Sequence, residues 1–300
     1  GESLCLDVIS WLKKQFDVVV IHGYSSTTAM LAMLWLKLHK IPFYLEVDGG
    51  LIREESEKKY RFKKLLGSSA DRWLSSGKAT TDYLVHYGAV RERTDTYPFT
   101  SLEESDILSE PVSFEEKQEL RRKLGMAEEK IALYVGRFDP LKGMDDLLHI
   151  VPKLEKTIGV YFVGGEPTEE HLAFCNENNA HNAHFLGLHK KEALTDYYKA
   201  ADFLVLPTKS DVWGLVINEA MACGLPVITT DKCVAGLELV EEGVNGAIVP
   251  AEDSECLARK MNELIHMDLN AMGEASLAKI RPYTVENMAR GHARIFEDRS

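Results

Sequence analysis

Two stretches of this chain hold residues whose types and spacing suit the binding of a charged, hydroxyl-rich ligand. In YVGRFDPLKGMDDLL a hydrophobic run ends at Gly136, a short loop carries Arg137 and Lys142, and a helix is expected from Gly143. Two cations beside a glycine turn and a helix start can neutralise a diphosphate. A surface turn with solvated Arg and Lys fits the same residues equally well. The loop is neither a Walker loop nor a G-x-G-x-x-G turn, so ATPase and dehydrogenase chemistry lose ground.

The second stretch, PTKSDVWGLVINEAMACGLPVITT, is more specific. Asp211 and Glu219 are separated by seven residues, and Gly214 stands at the entry of a helix that ends at Gly224, before Pro226. Glycine followed closely by proline is a usual helix stop. Glu219 then falls in the early turns, where a carboxylate can hold two vicinal hydroxyls such as those of a ribose. Amides of Trp213, Gly214, Leu215 and Val216 at the helix start can donate to a sugar or phosphate. Reading Asp211 as a loop cap and Glu219 as a solvated residue leaves the glycine at the entry unexplained.

The elements that must position these residues alternate. Helix-like and strand-like stretches run through the first hundred residues: a helix near Leu4–Lys14, then FDVVVIHG, a helix from Ser25 to His39, IPFYLEVDGG, a charged helix near Glu54–Leu66, and DRWLSS. The acidic segment Thr100–Glu129, with Pro111, reads as a connection leading into the next domain. A second series follows: KIALYVGR, GMDDLLHIVPKL as one helix, GVYFVGG, ALTDYYKAA, DFLVLP, LVINEAMACG, LPVITT and GAIVP. Such alternation predicts parallel sheets with crossover helices. The expected division is an N-terminal domain over 1–110, a donor domain over 111–282 and a terminal helix over 283–300 that returns to the first domain.

Composition limits the alternatives. The 300 residues carry a net charge of −12, which disfavours a surface that tracks nucleic-acid phosphates. The basic run KKYRFKK (Lys58–Lys64) fits a solvated helix face, or a lipid-headgroup contact if the acceptor is membrane-bound. Five scattered cysteines without a C-x-x-C pair point to a reducing compartment and thus to the cytoplasm. The longest apolar run, Ala29–Leu36, is too short to span a bilayer, and no signal peptide is evident. His181, His184 and His189 are read as residues of an Asn-rich turn rather than metal ligands, and Trp11 and Trp73 as core.

The second half resembles the C-terminal domain of family 4 glycosyltransferases, retaining enzymes of the GT-B fold with two Rossmann-like domains facing across a cleft. G-R-F-x-x-x-K-G matches that family's donor-phosphate loop, and D-x7-E its E-x7-E signature; FVGG, FLGL and ADFLVLP follow in the family's order. The resemblance runs from about Lys117 to the C-terminus. It implies that Gly136, Arg137 and Lys142 receive the leaving nucleoside diphosphate and that Glu219 binds ribose hydroxyls. Asp211 would meet the transferred sugar, Gly214–Val216 would supply amides, and Gly187, Leu188 and His189 would lie against the base. It further implies a UDP-, GDP- or ADP-linked hexose as donor, a saccharide or lipid-linked acceptor, no required metal, and front-face attack assisted by the departing phosphate.

Three departures from the family stand out. Asp211 is one methylene shorter than the usual glutamate. Asp48, with Glu46 on the same side of its strand, stands where members often carry histidine, and suits either acceptor-side chemistry or a turn cap. Nothing like the family's opening strand and glycine-rich loop precedes Leu4, so a shortened N-terminal domain is expected, with a second copy of the chain covering its exposed surface. A non-catalytic nucleotide-sugar-binding subunit, and a GT-B nucleotide-sugar epimerase, are the competing readings.

Overall fold

The computed structural model describes residues 4–297, the Glu192 side chain excepted. The chain divides into two compact units. Unit 1 comprises the residues up to Phe99 together with those from Glu286 onward, and unit 2 is Thr100–Val285.

In the first unit the elements are α1 (Asp7–Leu12), β1 (Val20–His22), α2 (Thr27–His39), β2 (Tyr44–Val47), α3 (Glu57–Gly67), β3 (Arg72–Ser75), α4 (Lys78–His86) and β4 (Thr94–Thr96). The second unit holds α5 (Phe114–Leu124), β5 (Lys130–Val135), α6 (Met144–Ile150), β6 (Ile158–Val163), α7 (Glu169–Glu177), β7 (Ala183–Phe185), α8 (Lys191–Ala200), β8 (Phe203–Leu206), α9 (Leu215–Ala222), β9 (Val227–Thr230), α10 (Val234–Leu239), β10 (Gly246–Val249), α11 (Ser254–Leu264) and α12 (Leu269–Ile280). The terminal helix, α13, is Val285–Glu297.

Unit 1 is a four-stranded parallel sheet in the order β1-β2-β3-β4, with His22 opposite Glu46. Met33, Leu36, Phe43, Leu45, Leu66, Trp73 and Leu84 form its buried core. Ser26 and Ser56 cap α2 and α3 by accepting the amides of Ala29 and Lys59. Trp73 is core, its indole N–H donating to Gly67 O. Trp11 departs from expectation: it is 58% exposed, with the Lys14 ammonium over its ring, because α1 is too short to bury a face. The basic run lies on α3, where Lys63 pairs with Glu55 and donates to Tyr87.

The other face of this sheet takes α13. Met288, Ile295 and Phe296 pack against Tyr44, Leu74 and Tyr97, and His292 locks the contact. Its Nε2 lies 2.7 Å from Glu46 Oε1, and its Nδ1 2.8 Å from Met288 O. With a carbonyl and a carboxylate as partners, the ring satisfies both when doubly protonated. The bond to Glu46 raises the His292 pKa. Burial pushes the Glu46 carboxyl up, but the bonds from His292 and His22 outweigh it and hold Glu46 low.

Unit 2 is a six-stranded parallel sheet in the order β10-β9-β8-β5-β6-β7. Its central strands are buried on both faces, as a doubly covered parallel sheet requires. Two expectations are corrected. The helix after Gly143 stops at Ile150, because Pro152 cannot donate to its ladder and the chain tightens into a 3-10 turn. The Asn-rich stretch around His184 is edge strand β7, paired with β6, where His184 stacks on Tyr161 and bonds Glu128. The segment after Phe99 packs onto this unit through Leu108 N to Ala222 O and Asn218 Nδ2 to Thr100 Oγ1.

Arg121 fixes α5 to the sheet. Only 4% exposed, it donates to Ala200 O, Glu129 O and Asp202 Oδ2, and that same oxygen accepts the Ile131 amide. Arg121→Ala should cost about 3 kcal/mol, since it removes the closer cationic partner of the buried Asp202 and leaves Lys117 at 3.5 Å; urea unfolding of the chain measures the loss.

The His292–Glu46 pair makes a pH prediction. A histidine raised on folding stabilises fully below its unfolded value and loses that contribution as pH climbs through the folded one. Glu46, held low, contributes above its unfolded value and loses that only in acid. Wild type should therefore protect α13 from hydrogen exchange better than His292→Gln near pH ~6, with the difference closing by pH ~9. An undiminished difference at high pH would show that the helix is not held by this proton.

Candidate functional site

Just past the C-terminal ends of β5, β6 and β7 in unit 2, glycines bring the backbones together. The Gly136 amide donates to Val163 O, and the Gly164 amide to Gly187 O, so three strand ends meet through main chain alone. A Cβ on Gly164, whose φ is +127°, would lie 2.2 Å from Gly136 O. No other residue type fits there.

The loop after β5 is built on Asp139, whose carboxylate accepts the Leu141 amide and starts a single 3-10 turn through Lys142. Tyr134 Oη donates to Arg137 O. The Arg137 guanidinium is 80% exposed and reaches Asp139 at 3.2 Å. Gly143 takes φ +72° where the backbone passes Pro207; a Cβ there would sit 2.0 Å from Pro207 O. The loops after β5 and β8 are bound together, because Leu141 O accepts both the Lys209 amide and Thr208 Oγ1.

Lys142 closes this junction. Its ammonium is 2.6 Å from Asp211 Oδ2, with both side chains mostly buried. Asp211 is in turn fixed by its amide on Lys232 O. A cation from one loop and a carboxylate from the other thus form one ion pair. Arg137 stands apart from it at the loop's outer surface.

Gly214, at φ +103°, opens α9 without a side-chain cap. A Cβ there would lie 2.7 Å from Cys233 Sγ, which donates to Trp213 O. The Trp213 indole is 3% exposed and donates to Asn218 Oδ1, tying the loop to α9 from inside. Leu215 and Val216 are half-buried in the first turn. Glu219, in the next turn, accepts from Tyr198 Oη at 2.8 Å. Burial raises the Glu219 pKa against the opposing bond from Tyr198 and the pull of Lys191. Leu188 is 80% exposed, while His189 packs on Tyr197 with ring centres 4.8 Å apart. His181, His184 and His189 do not converge: His184 faces Glu128 and His189 faces Tyr197.

Unit 1 holds a second cluster, around Asp48 at the end of β2. His22 Nε2 is 3.1 Å from Asp48 Oδ2 and its Nδ1 3.4 Å from Glu46 Oε2. Tyr97 donates to Asp48 Oδ1 at 3.3 Å, and its ring lies 4.6 Å from that of His292. Burial, then the neighbouring Glu46, raises the Asp48 pKa against the pull of His22. Sequence reasoning found Asp48 and Glu46 but not His22, Tyr97 or His292, whose only signal is the place of His22 at the end of a strand-like run. Tyr198 gave no signal beyond an aromatic in an amphipathic helix.

Among the described residues, no helix is long and apolar enough to cross a membrane. The family model for glycosyl transferases group 1 matches residues 116–279. A D-inositol 3-phosphate glycosyltransferase of Streptomyces bingchenggensis is 33% identical over 214 residues, 65% of this chain and 45% of that protein. An uncharacterised glycosyltransferase of Methanocaldococcus jannaschii is 33% identical over 153 residues, 49% of this chain and 39% of the other. The chain spans half or less of the length of the curated relatives it matches. Among solved structures, Anabaena HepE in complex with UDP superposes with TM-score 0.80 at 20% identity, covering 97% of this chain and 82% of that one. Sucrose-phosphate synthase from Thermosynechococcus elongatus gives TM-score 0.76 at 21% identity, covering 97% and 76%. The fold is of the GT-B class, and the chain belongs to the group 1 glycosyltransferases.

Proposed function

We propose that this chain takes part in transfer of a hexose from a nucleoside-diphosphate sugar to a hydroxyl of a saccharide or lipid-linked acceptor, with unit 2 holding the donor. The observation that carries this reading is the Lys142–Asp211 pair, which joins the loops after β5 and β8 where Gly143 permits their close approach. An ammonium held by a neighbouring carboxylate is pre-placed, so it neutralises a departing diphosphate with little reorganisation. Arg137, exposed on the same loop, supplies the second positive charge. Glu219 accepts hydrogen bonds from vicinal hydroxyls, and amides at the start of α9 meet sugar or phosphate oxygens. Leu188 and His189 lie against the base. A HepE structure that holds UDP and glucose lends weight to this class of donor.

In this reading Lys142 and Arg137 take the charge role that a divalent cation fills elsewhere, so transfer proceeds in EDTA. Asp211, its Oδ2 engaged by Lys142, presents its other oxygen to the transferred sugar. Asp48 serves the acceptor hydroxyl, and His22 and Tyr97 fix its orientation. The five cysteines are free thiols, in keeping with a cytoplasmic site of action.

Calorimetric titration with UDP-, GDP- and ADP-glucose tests the donor assignment. Arg137→Ala and Lys142→Ala should each cost about 1.5–3 kcal/mol of affinity for the sugar nucleotide that binds, as for charge-assisted contacts to phosphate. Undiminished binding in both variants would sink the assignment. Asp48→Asn should depress transfer to acceptor at saturating donor while leaving nucleotide affinity unchanged; equal loss of both would place Asp48 outside the acceptor side.

A further inference from the structure

Glu219 borders a cavity of about 160 Å³ within unit 2, whose lining includes Ser105, Asp106, Lys191, Thr195 and Tyr198. Tyr198 comes from α8, is 2% exposed, and directs its phenol at Glu219 Oε2. A phenylalanine would fill the same apolar space without a polar atom to satisfy. The hydroxyl is therefore explained by what it donates to, a carboxylate on a different helix.

We propose that Tyr198 is a positioning residue: it holds one oxygen of Glu219 and so turns the other toward the hydroxyls of a bound nucleotide sugar. This rests on the reading above in which Glu219 binds vicinal hydroxyls. An ionised carboxylate offers about four acceptor positions. Tyr198 fills one on Oε2, and Oε1 takes no hydrogen bond from the described residues. The backbone beneath is fixed separately, since Asn218 is held by the Trp213 indole and by Thr100. Backbone and side chain of Glu219 are thus both set before a ligand arrives, which cuts the ordering cost of binding.

Tyr198 also acts on charge. Burial raises the Glu219 pKa and Asp106 adds to this, whereas the Tyr198 bond and Lys191 oppose it. Lys199 and Cys223 are the remaining titratable groups that line the cavity. A protonated Glu219 gives up acceptor capacity, so donor affinity should fall as pH drops through its pKa, and sooner without the phenol.

The test measures UDP-glucose affinity from pH ~5 to ~8 in wild type, Tyr198→Phe and Glu219→Gln, with thermal melts as a check on folding. UDP-glucose is chosen because its phosphates carry no titrating terminal group; GDP- or ADP-glucose replaces it if wild type prefers either. Tyr198→Phe should bind about tenfold more weakly and lose affinity at a higher pH than wild type, with kcat at saturating donor little changed. Glu219→Gln should be weak at every pH. Wild-type affinity and an unmoved acid limb in Tyr198→Phe overturn the positioning role while leaving the donor site standing. Wild-type behaviour in Glu219→Gln, or no binding of any of the three sugar nucleotides by wild type, overturns the hydroxyl-binding reading itself and the proposal with it. If Tyr198→Phe does not fold, Glu219→Asp withdraws the carboxyl from the phenol by one methylene, and wild-type affinity and pH profile there overturn the proposal equally.

Discussion

The second unit of this chain depends on two loops being held as one. The loop after β5 and the loop after β8 come from adjacent strands, and either alone would be an ordinary surface turn. The Lys142–Asp211 pair joins them through side chains, and Leu141 O joins them through two further hydrogen bonds. Gly143 lets the backbones approach to a distance that a single methyl group would prevent. Each contact presupposes the others, because the ion pair is short only where the glycine permits close approach. The cost of desolvating two charges is offset where geometry is fixed in this way.

The same economy of side chains runs along the strand ends. Gly136, Gly164 and Gly187 place three peptide backbones in direct contact, and Phe138 covers Gly165 at the rim. In an open parallel sheet the ligand side is the carboxyl end of the strands, where loops are free to diverge. Here the loops diverge above strand ends that meet through glycine backbone, with Tyr134, Phe138 and Glu166 packed beside it.

Much of this was legible because both motifs are local. A buried strand, a glycine turn and a helix start can be read within fifteen or so residues, and Arg137, Lys142, Asp211, Gly214 and Glu219 stand where such reading puts them. What escaped depends on contacts between distant positions. Lys142 and Asp211 are 69 residues apart, and nothing local says that they pair. Glu46 and His292 are 246 apart, so the proton that holds α13 is invisible along the chain. The orientation of Trp213 was not legible either, because an aromatic in a glycine loop suits a ligand face or an interior equally, and the choice is made by Asn218 one turn away. β7 was missed because an edge strand of three residues has no room to show alternation.

The thiol of Cys233 gives the loop around Gly214 a built-in reporter. It is fully enclosed, it contacts the very position where Gly214 lacks a side chain, and burial with help from Asp211 pushes its pKa up to about 12. A thiol in that state reacts with alkylating reagents only during the moments when its cover lifts. The rate at which Cys233 is trapped therefore counts the opening events of this loop in the native protein, with no label attached. Any ligand that seats on the start of α9 acts as a lid on that clock.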